Sequence, residues 1–114
     1  MTRVYKILSG AEWDEAAAKG RFDGSADDLR DGFVHLSAAD QAAETARRYF
    51  SGRHDLVLAA FEAAALGPAL KWEPSRGGAL FPHLYAPLPT AAAVEVRPLA
   101  LGPDGAPDLG FLPP

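Results

Sequence analysis

The sequence has no cysteine, which excludes disulfides, thiolate nucleophiles and thiolate metal ligands together and leaves only histidine and carboxylate for any metal. An excess of positive charge is also missing. The formal net charge is −4, so no global field draws the chain to nucleic acid or anionic lipid, and any anion must be held by local basic groups. Long hydrophobic runs are absent: even Leu56 to Phe61 is stopped by Glu62, far short of a bilayer-spanning helix. The opening residues, Met1 to Lys6, lead to a polar helix by Glu12 with no apolar signal core. We therefore expect a cytoplasmic protein, a monomer by default, with neither a membrane nor a long nucleic acid as partner.

What is present suffices for one core. With 48% hydrophobic and 10% aromatic residues in 114, the chain is expected to form a single α+β domain over residues 1–101, followed by a Pro/Gly-rich tail over 102–114. Val4 to Leu8 is short and rich in β-branched and aromatic residues, and reads as an opening strand. Ser9 and Glu12 have capping-box spacing, which predicts a helix from Glu12 to Lys19 closed by Gly20. Ser25 and Asp28 have the same spacing and predict one short turn before Phe33-Val34-His35-Leu36, a second strand that puts Phe33 and His35 on one face.

Ser37, with Asp40 three residues on, is expected to cap the second main helix, with Ala39, Ala42, Ala43, Ala46, Tyr49 and Phe50 as its buried stripe. Asp55 to Phe61 is nearly continuous apolar sequence, as in a strand covered on both faces, and is the candidate central strand. Ala69 to Glu73 reads as a further strand, and Pro74-Ser75-Arg76-Gly77-Gly78 as a loop whose glycines permit close approach of a ligand. The prolines of Phe81 to Leu88 predict an edge strand, and Val94 to Arg97 alternates as the last one.

Several residues in this frame are able to carry chemistry. His35, on a strand just before a helix start, suits a ligand phosphate or a structural bond to a carbonyl. His83 stands between prolines that hold the backbone extended, a rigid mount for an acid or base, and Tyr85 shares its face by period two. Arg76 offers a guanidinium fork for phosphate or carboxylate, against the plainer reading of a loop arginine paired with Glu73. Glu73 is open to three roles: general base, ribose ligand or salt-bridge partner. No His-x-x-x-His or Glu-x-x-His spacing preassembles a metal site, so none is expected. Ser37 lacks a nucleophile-elbow context.

Val4-Tyr5-Lys6-Ile7, Trp13, Asp31 to Ser37 with Gln41, Leu70-Lys71-Trp72-Glu73 and Phe81 to Leu88, taken together, resemble the uncharacterised bacterial family known as domain of unknown function 952, from Val4 to about Leu99. The resemblance implies an ADP-ribosyltransferase-like fold: a small split antiparallel or mixed sheet with two main helices around a cleft for a nicotinamide dinucleotide or ADP-ribosylated intermediate. His35 matches the second histidine of the relevant clade. The first is replaced, because Lys6 stands where family members often carry histidine. Lysine donates to phosphate or ribose but cannot accept as a neutral imidazole does, which counts against NAD as cofactor.

The leading reading is a cleft for a phosphorylated or nucleotide-like small ligand. Lys6, Ser37, Arg76, Tyr85 and Glu73 would bind it, and His35 and His83 would serve any catalysis, with His83 the acid or base. The alternative is a non-enzymatic interaction module in which both histidines are structural.

Overall fold

Alternation in two facing strands sets the centre of the fold. In the computed structural model, which describes residues 2–112, β1 (Arg3–Ser9) runs antiparallel to β5 (Leu56–Glu62) along its whole length, from Arg3 opposite Glu62 to Ser9 opposite Leu56. With β4 (Ser37–Ala38) and β9 (Ala93–Pro98) they form a sheet of order β4-β1-β5-β9. The apolar run of β5 is explained by cover on both faces. Val4, Leu8, Ala59 and Phe61 pack to one side with Phe22, Val34, Leu84 and Leu88. Tyr5, Ile7, Leu58 and Ala60 pack to the other with Ala42, Ala46, Leu99 and Leu109.

A second sheet holds β3 (Val34–His35), β7 (Leu80–Leu84) and β6 (Leu70–Pro74) in the order β3-β7-β6. The prolines of Phe81 to Leu88 predict an edge, but β7 is the middle strand. Pro82 is tolerated there because its carbonyl still accepts from Leu36 N at 3.1 Å, and its missing donor falls at the end of the short β3 ladder. Pro87 lies beyond the strand. A two-residue ribbon pairs β2 (Arg21–Phe22) with β8 (Leu88–Pro89). Every described strand pairing is antiparallel, and the protein is a mixed α+β domain with several short helices.

The expected strand Phe33 to Leu36 is two strands in two sheets. Val34 and His35 pair with Leu84 and His83, the chain crosses over at Leu36, and Ser37 and Ala38 pair with Tyr5 and Val4. Ser37 is therefore a buried strand residue and not a helix cap. The helix begins only at Ala42 (α3, Ala42–Tyr49) with Gln41 at its N-cap position. Gln41 ties the sheets together, its Oε1 accepting from Ala38 N at 2.9 Å and its Nε2 donating to Leu80 O at 2.7 Å. The later start narrows the buried stripe to Ala42 and Ala46 with half-buried Phe50, spaced by four. Ala43 faces solvent and Tyr49 is 64% exposed.

The capping-box argument holds for the first helix. Glu12 N donates to Ser9 Oγ and Ser9 N to Glu12 Oε1, both at 3.0 Å, opening α1 (Gly10–Lys19). Gly20 ends it at φ 85°, a left-handed conformation in which a Cβ would be strained. The short α2 (Ala26–Asp31) is closed in the same way by Gly32, and α4 (Ala63–Leu66) follows β5 directly. The described part of the tail lies against the body: Gly52 N donates to Gly105 O at 2.8 Å, Leu109 is buried, and the Arg97 guanidinium sits 3.9 Å from the Phe111 ring centroid. Among the described residues no helix is long and apolar enough to cross a membrane.

Candidate functional site

The antiparallel register of the second sheet gathers its polar side chains on one face. His35 stands opposite His83, and Lys71 opposite His83 on the other side, so period two brings Phe33, His35, Phe81, His83 and Glu73 to a common surface. Phe33 covers the imidazoles: its ring stacks on His83 at 4.0 Å between centroids and lies 4.6 Å from His35. Beside this face opens a cleft of about 620 Å³, walled by β1, α2, α3, the Ser75-Arg76 turn and β7. Lys6, His35, Ser37, Arg76 and His83 all line it.

Glu73 and Tyr85 do not line the cleft. They stand behind His83. Glu73 Oε1 lies 2.8 Å from His83 Nδ1 and accepts from the Tyr85 hydroxyl at 2.7 Å. Those two donors, the tyrosine first, hold the Glu73 carboxyl below its usual range, and the same bond raises the Tyr85 hydroxyl. The carboxylate thus orients the imidazole: a ring donating from Nδ1 to Glu73 keeps its lone pair at Nε2. His83 is only 6% exposed, so its ring is both held and shielded.

His35 is held differently. Its Nδ1 lies 2.6 Å from Asp28 Oδ1 and its Nε2 3.0 Å from Asp31 Oδ2. Asp28, 2% exposed, also accepts from His35 N at 3.0 Å and Ser25 N at 2.9 Å, and takes two bonds from the Lys6 ammonium at 3.1 and 2.9 Å. Burial alone would raise its carboxyl. The bonds from His35 and the Lys6 charge overcome that and hold it well below the usual carboxylate range. Burial lowers the Lys6 ammonium, with Asp28 opposing. The third Lys6 donor goes to His35 O at 3.0 Å, so all three are committed within the protein.

Arg76 is the reverse case. Its expected partner Glu73 is occupied by His83 and Tyr85, and among the described residues Arg76 is the one arginine without a carboxylate at ion-pair distance. Its guanidinium rests 4.9 Å from the Phe81 ring centroid and donates to Thr45 Oγ1 at 3.3 Å. Thr45 Oγ1 also accepts from Ser37 Oγ at 3.3 Å. Three site residues escaped the sequence reading. Asp28 reads as a capping acid and nothing local marks Asp31 or Thr45 as site residues, because no short-range pattern announces that β1, β3 and the Ser75-Arg76 turn converge on them.

A mostly antiparallel α+β domain with a histidine-lined cleft between its sheets defines the class. Residues 7–96 match the family described as protein of unknown function DUF952, and the chain belongs to that family. Its structure is similar to the crystal structure of protein CC0527 from Caulobacter crescentus, at 59% identity and a TM-score of 0.94 over 96% of each chain. The solution NMR structure of CC0527 superposes with a TM-score of 0.88 at 59% identity, over 97% of this chain and 96% of that one. No curated protein matches the chain.

Proposed function

We propose that the cleft binds a small phosphorylated or nucleotide-like molecule, with its anionic group on Arg76 and its reactive or polar end toward His83. One observation carries this reading: among the described lysines and arginines that line the cleft, Arg76 is the one with no carboxylate at ion-pair distance. Lys6 faces Asp28, Arg30 faces Asp27 and Asp31, and Arg53 faces Asp55. A guanidinium without a counter-ion, beside a hydroxyl pair and an oriented imidazole, is the chemistry that recognises phosphate.

The finer reading, an ADP-ribosyltransferase-like cleft for NAD or ADP-ribose, rests on the family resemblance alone. Against it stands the Lys6 ammonium, whose donors are already used at the position where the family resemblance calls for a ligand-facing histidine. Thermal shift separates these. A ligand selective for the folded state raises the melting temperature by mass action, about 2.7 kcal/mol at a hundredfold excess over Kd. Phosphate, nucleotides, ADP-ribose and NAD are the panel, with wild type and Arg76→Ala. A rise abolished by Arg76→Ala is the expected result; no rise with any of them moves the assignment to an interaction module. A rise confined to NAD and ADP-ribose would favour the finer reading.

A further inference from the structure

We infer that the two histidines form an acid–base pair for metal-independent cleavage of a phosphodiester that carries a neighbouring hydroxyl, as in a ribonucleoside 3′-phosphodiester. The inference rests on the phosphate-binding reading above and adds the reaction. His35 and His83 are register partners on adjacent strands with ring centroids 5.8 Å apart, and each presents Nδ1 to a carboxylate, Asp28 at 2.6 Å and Glu73 at 2.8 Å. Two imidazoles so spaced fit on either side of one phosphoryl group, and Arg76 shares their cleft.

Hydrogen-bond bookkeeping assigns the roles. His83 has one carboxylate partner and keeps an acceptor at Nε2. His35 has a carboxylate near each nitrogen, at 2.6 and 3.0 Å, a setting suited to the proton-bearing form of the ring, so the acid of the proposed pair is assigned to it. His83 Nε2 removes the proton of the neighbouring hydroxyl, whose oxygen forms a bond to phosphorus as the bond from phosphorus to the leaving oxygen breaks. That oxygen takes the proton of His35 Nε2. To do so it displaces Asp31, which loses little, because its carboxylate is also held by Arg30 Nε at 2.9 Å and Nη2 at 3.2 Å. The product is a cyclic phosphate. Attack of water on it, with the proton transfers reversed, returns both rings to their starting states, so no oxidant, reductant or metal is needed.

Thr45 completes the seat. Its oxygen accepts from Arg76 and from Ser37, which leaves its own hydrogen to donate, together with the remaining Arg76 donors, to the non-bridging phosphoryl oxygens. Asp28 and Glu73 are positioning residues here, acting through the imidazoles.

The test uses the full chain in EDTA with the ribodinucleoside monophosphate UpA, its 2′-deoxy analogue and a 2′,3′-cyclic nucleotide. Cleavage is followed chromatographically and binding of the deoxy analogue by calorimetry. The expected result is cleavage of UpA but not of the deoxy compound, lowered about 10²- to 10⁴-fold in His83→Ala, with deoxy binding retained. His83→Gln, nearer in size and hydrogen bonding, is measured beside it, and both are checked for cooperative melting. Deoxy binding without UpA cleavage overturns the acid–base pair and leaves the phosphate-binding reading intact. Absence of both overturns the two together. Equal cleavage by wild type and both folded His83 variants also overturns the inference, since the activity then lies elsewhere.

Discussion

His35 and His83 face each other across one ladder, share a sheet face and both touch Phe33, yet their surroundings differ in kind. The His35 side is a closed ionic cluster: Lys6 and Asp28 are buried, the ammonium has spent every donor, and both imidazole nitrogens face carboxylates. The His83 side is open at one atom, with a half-exposed carboxylate behind the ring and the cleft in front. The difference teaches that a pair of like residues at matched positions can divide labour by hydrogen-bond count alone. A committed cluster holds structure and charge, and yields to a ligand only at His35 Nε2, where Asp31 can be displaced; the uncommitted lone pair of His83 and the unpaired Arg76 guanidinium meet a ligand directly.

Breaking the closed side should cost most. Asp28→Ala leaves the Lys6 charge buried without its partner, and truncating one member of such a pair costs about 3–5 kcal/mol, measurable as a lowered urea midpoint. The double variant Lys6→Met, Asp28→Leu removes both charges and should be more stable than Asp28→Ala alone, since an apolar pair of similar volume needs no desolvated charge. If the single variant melts like wild type, the cluster is not what holds α2 against the sheets.

The same cluster sets an acid limit. The folded Asp28 carboxyl lies below its unfolded value of 3.8, so its contribution is fully present above about pH 4 and is lost as pH falls through the lower folded value. Stability followed by urea unfolding should drop as the pH is lowered below that window. Asp28→Asn should start lower and flatten the drop, and an unchanged slope would remove Asp28 as its source.

On the open side, Glu73→Gln should leave the unfolding midpoint near wild type while changing the ring: nitrogen NMR of His83 should show loss of the Nδ1–H tautomer preference. An unaltered His83 spectrum would mean Glu73 does not orient the ring. The smallest stability effect is expected from Arg76→Ala, within about 0.5 kcal/mol as for most surface positions, with its loss confined to anion binding.

Much of this comparison was visible before any tertiary contact was known. Period two alone placed Phe33 with His35, and His83 with Tyr85, and Ser9 with Glu12 marked the start of the first helix. The apolar run from Leu56 to Phe61 foretold a strand covered on both sides. Other readings failed for reasons of context. Ser37 has the local chemistry of a helix cap, but pairing with Tyr5 claimed its backbone first and delayed the helix to Ala42. The prolines argue for an edge, yet Pro82 sits in the middle strand, where its carbonyl still accepts from Leu36 N and only its donor is missing, at the end of the β3 ladder.

The sequence by itself determined the main elements β1, α1, β5, β6 and β9, the faces of most strands and the residue types able to hold an anion or move a proton, because these follow from steric preference and periodicity over a few neighbouring residues. Only the tertiary structure decided the partners. Lys6 and Asp28 lie 22 positions apart and meet because β1 and α2 converge. Glu73 chose His83 and Tyr85 over Arg76 because strand register put those two on its face while the Ser75-Arg76 turn carried the arginine to the cleft. Charge pairing over such separations depends on which surfaces the core brings together, and no local pattern encodes that.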